Sequence, residues 1–356
     1  MTSMQVGPTT ITLNKDPSLD MRGYDYSALT AVYTCPTWGV IRHGHHLRSA
    51  GDGRAMALEA GRACHDAFAA IRLWQLAYAE ELPDHADAHG QRIFGADRWG
   101  ALKSTQVKTT TDRQNAMTFA LEALYTSGFI DDPNDKRRTV SNMETLIITY
   151  LDRWDMKRYP IWVDDPNLPE GPVGIELPID LLITYAGGAR IRYVGRMDGL
   201  HWSDETLKHL MVHENKTGGR LDMAWSMSFA VSHQPTGYMV GASLYTGRIV
   251  QDALILGSQL PMPKSLTDGI VYEPITRGDH HVTRWLAWVS EGVKLYREYH
   301  DNVHEAPQYT HSCNRYFRPC PLVGWCSEER EAQEDMLRNF VKDEWNPLHD
   351  TGKMGE

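Results

Sequence analysis

Three β-rich runs in close succession constrain this chain most: residues 174–185 (GIELPIDLLITY), 190–200 (RIRYVGRMDGL) and 207–216 (LKHLMVHENK). The turn pieces between them, Ala186-Gly187-Gly188 and Ser203-Asp204-Glu205, are too short for anything but antiparallel neighbours, so the runs predict a β-meander. Upstream of Pro172 the apolar spacing is helical instead, over residues 27–44, 55–81, 111–127 and 135–158. Residues 82–109 read as loop-rich, and residues 1–25 as irregular chain or an edge strand. A helix at 233–245 follows the meander, then strand-like runs at 249–257 and 269–274 and a helix at 281–300. The acidic stretch 327–345 predicts a final amphipathic helix. The expected class is α/β: a mixed sheet with a crossover helix. Its regions are a helical N-terminal part (1–170), a core (171–305) and a cysteine-bearing tail (306–356).

Composition excludes several other classes. The 356 residues include 11 Trp and 16 Tyr with 42% hydrophobic content, enough for a large core and unlike disordered or collagenous chains. No apolar run reaches the ~18–20 residues of a membrane-spanning helix, and the polar first twenty residues hold no secretory h-region. A soluble cytoplasmic protein without membrane contact is expected. A net charge of −10 argues against a protein that coats nucleic acid non-specifically, but it leaves room for an acidic metal-binding cleft beside a local basic surface.

The five cysteines are an odd number without an oxidising-compartment signal, which disfavours a disulfide framework. Cys313, Cys320 and Cys326 cluster near the C-terminus, while Cys35 lies far upstream. Cys35 and Cys320 are each followed by proline, which stiffens a turn beside a thiolate. Four thiolates can hold zinc or an iron–sulfur cluster. The absence of short C-x2–4-C knuckles leans towards iron–sulfur. Cys64 is read as a packing residue.

The most specific pattern spans the second and third β-runs. Asp198 stands in Gly195-Arg196-Met197-Asp198-Gly199, and Glu214 and Lys216 stand two apart in Val212-His213-Glu214-Asn215-Lys216-Thr217-Gly218. Positions i and i+2 of a strand share a face, and a short turn brings Asp198 next to that face. Two carboxylates there make a hard-oxygen site for Mg²⁺ or Mn²⁺, and an adjacent ammonium can orient a water and offset charge on a phosphoryl group. Glu176 and Asp180 on the first run are candidates to face the same site, Glu176 being the better one for a supporting or second-metal role.

The run G-R-M-D-G followed by H-E-N-K-T-G resembles the core of the PD-(D/E)XK nuclease superfamily, a restriction-endonuclease-like fold. The nearest likeness is to its RecB-like branch with a four-cysteine iron–sulfur cluster, which includes the AddB nuclease domain, CRISPR-associated adaptation exonucleases and phage exonucleases. Gly61-Arg62-Ala63-Cys64-His65 resembles that branch's G-x-x-x-H helix, and Gln234-Pro235-Thr236-Gly237-Tyr238 its Q-x-x-x-Y helix. Cys35 with Cys313, Cys320 and Cys326 resembles its split ligand set for a 4Fe-4S cluster. The motifs run in order from about residue 27 to 326. The proline of the superfamily's name has no clear counterpart before Asp198.

The resemblance implies that Asp198, Glu214 and the Asn215 carbonyl ligate the metal, with His65 as a further ligand. It makes Lys216 the water-positioning cation and Gln234 and Tyr238 substrate-orienting groups. A histidine ligand favours Mn²⁺ over an all-oxygen site's Mg²⁺. The implied function is a metal-dependent DNA exonuclease acting on single-stranded or frayed duplex ends. The alternative is a nuclease-fold protein that binds DNA or a partner in recombination or CRISPR adaptation, with catalysis subordinate. With no helicase motif present, any motor is a separate partner; a homo-oligomer is also compatible. A rival of another class is a zinc hydrolase built on His43, His45 and His46. Arg42, Arg48, Arg54, Arg62 and Arg72 give the early helices a basic bias that could track a DNA backbone.

Overall fold

The computed structural model describes residues 3–343 and 348, apart from 17, 20, 50–55, 106–111, 155–157, 204–205, 207, 264–268 and 316–317. The turn residues Asp204 and Glu205, the basic residue Arg54 and positions 344–345 of the expected last helix therefore lie outside the described residues.

The chain enters through a hairpin of β1 (Met4–Val6) and β2 (Thr9–Leu13), then the short β3 (Gly23–Tyr24). Helix α1 (Tyr26–Thr34) is capped by the Asp25 carboxylate, which accepts from the Ala28 N–H. The helix expected over 27–44 is broken. Cys35 is extended (φ −163°, ψ 116°) before α2 (Pro36–Gly39) and a π-helical turn (Val40–Gly44), because the residue before proline is pushed out of the helical region. After β4 (Leu47–Arg48) comes α3 (Met56–Trp74), ending in a second π-turn (Gln75–Ala79).

The segment expected to be loop-rich instead forms α4 (Pro83–Phe94) and α5 (Ala96–Ser104). Pro83 occupies the first turn of α4, where its missing N–H costs nothing, and Gly95 (φ 78°) makes the corner. The apolar signal of α4 is thin because buried polar residues take part: His85 and His89 bond the carbonyls of Asp165 and Gly171 at 3.1 and 2.9 Å. Then follow α6 (Asp112–Tyr125) and α7 (Val140–Arg153), the latter capped by Thr139.

The meander is present as β5 (Ile175–Thr184), β6 (Arg190–Trp202) and β7 (Leu210–Gly218). Helices α8 (Met223–Ala230) and α9 (His233–Thr246) cross over to β8 (Asp252–Gln259), which lies parallel to β7. Strand β9 (Ile270–Thr276) closes that edge, and α10 (Asp279–Tyr299) follows. In the tail, β10 (Asn314–Arg315) and β11 (Arg318–Pro319) make a small hairpin before α11 (Val323–Cys326) and α12 (Arg330–Arg338). The last helix is shorter than expected. The chain turns into β12 (Val341–Lys342), which pairs with β4 and returns the tail to the N-terminal region.

The eight-stranded sheet has the order β1-β2-β5-β6-β7-β8-β9, with β3 parallel to β6. The architecture is mixed α/β, with a mostly antiparallel central sheet flanked by helices. One core joins Leu177, Ile179, Leu181 and Ile183 of β5 to α1, α9, α10 and Trp325 of the tail. The other packs α3, α4, α5, α6 and α7 against Ile175, Leu256 and Ile270.

One detail of the sheet positions everything that follows. The β6–β7 ladder runs from Trp202↔Leu210 to Gly199↔His213, after which β7 continues along β8 as far as Gly218↔Gln259. On the same flank of β6, β3 pairs further back, at Arg192 and Tyr193. The sheet therefore forks where Asp198 and Glu214 stand.

Candidate metal centre

At the fork a side chain replaces the ladder. Asp198 Oδ2 accepts from the Asn215 backbone N–H at 2.6 Å, spanning the gap between β6 and β7. Asp198 Oδ1 lies 3.3 Å from His65 Nδ1. Helix α3 can carry His65 this close because Gly61, one turn earlier, lies over β7: a Cβ there would sit 3.3 Å from Thr217 Oγ1. Cys64, on the adjoining helix face, is fully buried in the core.

The third member is Glu176 of β5. Its backbone adopts φ +46°, a left-handed conformation that side chains other than glycine rarely take, and strain of this kind concentrates at functional sites. One ligand atom each of His65, Glu176 and Asp198 lies within 4.8 Å of the other two. Among the described residues this is the only such group of three or more His, Cys, Asp or Glu. Ligands of a single divalent ion at about 2.1 Å stand up to ~4.2 Å apart, so the group needs only a small contraction to close on one ion.

Glu214 and Lys216 stand beside this group, with Lys216 Nζ 2.6 Å from Glu214 Oε1. Glu214 Oε2 is buried without a hydrogen-bond partner, which is costly for a carboxylate and is relieved by a cation. Asn215 is buried, its side-chain oxygen 3.2 Å from His213 Nε2 and 3.4 Å from the Tyr150 hydroxyl. Gln234, the second residue of α9, donates from Nε2 to the Tyr238 hydroxyl at 3.0 Å; the helix cap is Ser232. Tyr238 is buried, and burial together with the Glu214 charge holds its phenol well above the usual range.

The electrostatics are those of an anionic site. Burial opposes the charge on Asp198, but His65, Lys216 and the Asn215 N–H outweigh it and lower its pKa. Burial and the Asp198 charge push Glu176 up to about 8 and Glu214 up to about 7. Burial would lower His65, yet Asp198 and Glu176 raise it to about 9. Lys216 is likewise raised, since Glu214 and Asp198 overcome its burial. Protons and nearby cations thus compete for carboxylates that a divalent ion would hold. These residues offer one imidazole nitrogen and several carboxylate oxygens to a divalent ion.

The structure thus gathers His65, Asp198, Glu214, Asn215 and Lys216, with Gln234 and Tyr238 joined on α9. It adds Glu176 to the tightest group and turns Asp180 away, into an ion pair with Arg192 at 2.7 Å. Arg72 was counted among the basic residues available to DNA, but it is 1% exposed and donates to the Asp198 carbonyl at 3.0 Å. Its spacing carried the signal: seven residues after His65 lies the same face of one helix. Arg42 and Arg48 pair with Asp343. Of the rival histidines, His43 is lowered to about 4 by burial and Arg42, and the three form no compact donor group.

Cys35 meets the tail. Its Sγ lies 4.0 Å from the Pro307 carbonyl, and Thr37 Oγ1 donates to the Ala306 carbonyl at 3.1 Å. Gln308 Nε2 donates to the Cys326 carbonyl, and the Cys320 N–H to the Cys313 carbonyl. Burial, followed by the charges of Cys35, Cys320 and Cys313, pushes the Cys326 thiol up to about 12. No three of them lie within 4.8 Å of one another. A tetrahedral zinc with ~2.3 Å bonds needs sulfurs roughly 3.8 Å apart.

No family model matches this sequence, and no curated protein is significantly similar to it.

Proposed function

We propose that this chain is a metal-dependent phosphodiester hydrolase acting on DNA. More particularly, it is a PD-(D/E)XK nuclease of the RecB-like branch, with a restriction-endonuclease-like core. The observation that carries the reading is the forked sheet: His65, Glu176 and Asp198 form one compact group, and the buried Glu214 with its Lys216 partner stands beside it. Mn²⁺ or Mg²⁺ bound there would stabilise negative charge on the phosphate and acidify a coordinated water. Lys216 holds a proton and a positive charge at Nζ, where it can orient the attacking water and offset charge on a non-bridging oxygen. Gln234 and Tyr238 stand together on α9 to orient the substrate strand.

The resemblance of the motifs to the RecB-like branch points to a single strand or frayed duplex end as the substrate. The four cysteines would hold a 4Fe-4S cluster that pins α2 to the tail.

The test is digestion of end-labelled single-stranded and duplex DNA with Mn²⁺, with and without EDTA. Asp198→Asn and Lys216→Ala are each expected to cut the rate by about 10²–10³ or more while the fold persists. Full activity in either variant would overturn the assignment. Iron and sulfide analysis with absorbance near ~400 nm tests the cluster.

A further inference from the structure

The two catalytic strands part at Asp198 and Glu214, and something must set how far. In the β6–β7 ladder the last paired residues are Gly199 and His213. The Asp198 carbonyl, one step beyond, accepts instead from Arg72 Nη1 of α3 at 3.0 Å. Arg72 Nη2 donates to the Tyr150 hydroxyl at 3.0 Å, and that hydroxyl lies 3.4 Å from Asn215 Oδ1 on β7. One guanidinium therefore reaches both arms of the fork, β6 directly and β7 through Tyr150.

The surroundings are built for this group. Gly199 leaves the space it occupies: a Cβ there would come within 2.8 Å of Arg72 Nη1 and 2.5 Å of His201 Nε2. The Trp154 ring lies 5.1 Å beneath the guanidinium carbon. Arg72 is 1% exposed, and no carboxylate stands within ion-pairing distance of it among the described residues. A buried cation without a paired carboxylate is expensive. Here it sits behind an anionic group, where its charge acts on Glu176.

We propose that Arg72 is a positioning residue for the metal centre, holding the β6–β7 fork at the width that lets Asp198 and the Asn215 backbone serve one divalent ion. The proposal rests on the nuclease reading and adds to it the element that spaces the ligands. Arg72 touches no substrate. It fixes the Asp198 peptide from behind, and through Tyr150 and Asn215 it sets the N–H that Asp198 Oδ2 accepts at 2.6 Å. Outer partners of this kind usually tune metal affinity and turnover rather than substrate binding.

The experiment measures Mn²⁺ affinity by electron paramagnetic resonance, together with kcat and KM on end-labelled single-stranded DNA. The proteins are wild type, Arg72→Met, Arg72→Lys, Tyr150→Phe and Asp198→Asn. Arg72→Met is expected to weaken Mn²⁺ binding by about 10–100-fold and to lower kcat in step, with KM for DNA changed less than about threefold. Arg72→Lys, which keeps a charge but loses the fork of donors, should recover part of the affinity. Tyr150→Phe keeps a nearly unchanged core and cuts only the link to Asn215, so a several-fold loss of affinity is expected even if Arg72→Met does not fold. Wild-type Mn²⁺ affinity and kcat in folded Arg72→Met, or in Tyr150→Phe where Arg72→Met does not fold, overturns the role of Arg72 alone, provided Asp198→Asn loses the metal. Equal Mn²⁺ binding by wild type and Asp198→Asn overturns the nuclease reading and this inference with it.

Discussion

Glu176 shows most sharply how a residue can serve a site at the expense of the fold. Its φ of +46° and the desolvation of its half-buried carboxylate both oppose folding, and both vanish in Glu176→Gly, which tolerates that backbone. Glu176→Gly is therefore expected to raise the melting temperature of the metal-free protein, worth about 1 kcal/mol, while weakening Mn²⁺-dependent cleavage by about tenfold or more. Calorimetry with EDTA beside a cleavage assay checks both halves; a variant losing both stability and activity would refute the trade. Asp198, Glu214 and Lys216 were legible in the sequence because i, i+2 spacing on a strand and a short turn fix their mutual face. Glu176 was legible only as one of two candidates. The choice between it and Asp180 depended on local backbone geometry, and Asp180 found Arg192 instead.

At the scale of elements, α3 and the π-turn after it link the site to the helical layer. Glu80, just past that turn, accepts from Gln75 Nε2 at 2.7 Å and from the Ile161 N–H at 2.9 Å. Burial lifts its carboxyl to about 7 despite those bonds. A carboxyl whose folded pKa exceeds its unfolded value holds an extra proton in the folded state, so stability falls as pH rises between about 4.5 and 7. Glu80→Gln keeps an acceptor for Ile161 and removes the charge. Relative to wild type it should gain about 1–2 kcal/mol at pH 8 and little below pH ~4, as read by urea unfolding at both pH values. The long helices and the meander were readable from periodicity. Helix α4 was not, because His85 and His89 occupy buried positions where a pattern of apolar residues would have marked it. Cys35 ended its helix for a reason the sequence did display, the proline after it.

The whole molecule is closed by its tail. Residues 306–308 touch Cys35, Thr37 and Cys326, and β12 pairs with β4. If a cluster holds the four cysteines, Cys35→Ser should release iron and lower the melting temperature by several degrees, while leaving Mn²⁺ binding at the fork within about twofold. Metal loading should couple to pH across the whole fold. Glu176 and Glu214 keep protons up to about 8 and about 7, so at pH 6.5 Mn²⁺ must displace them, whereas at pH 8.5 it need not. The same raised values make the metal-free fold less stable as pH rises. Both effects have one sign: the rise in melting temperature on adding Mn²⁺ should be larger at pH 8.5 than at pH 6.5. An equal shift at both would show that these carboxylates do not bind the ion.

By itself the sequence determined the alternation of helical and strand segments, the meander, and the shared face of Glu214 and Lys216, since each follows from spacing over a few residues. Tertiary structure decided where the sheet forks, that Glu176 rather than Asp180 joins His65 and Asp198, and that Arg72 lies buried behind them rather than on a DNA-facing surface. Those outcomes depend on ladder register and on contacts of α3 with β6 between residues more than a hundred positions apart, and no local periodicity encodes where two neighbouring strands cease to pair.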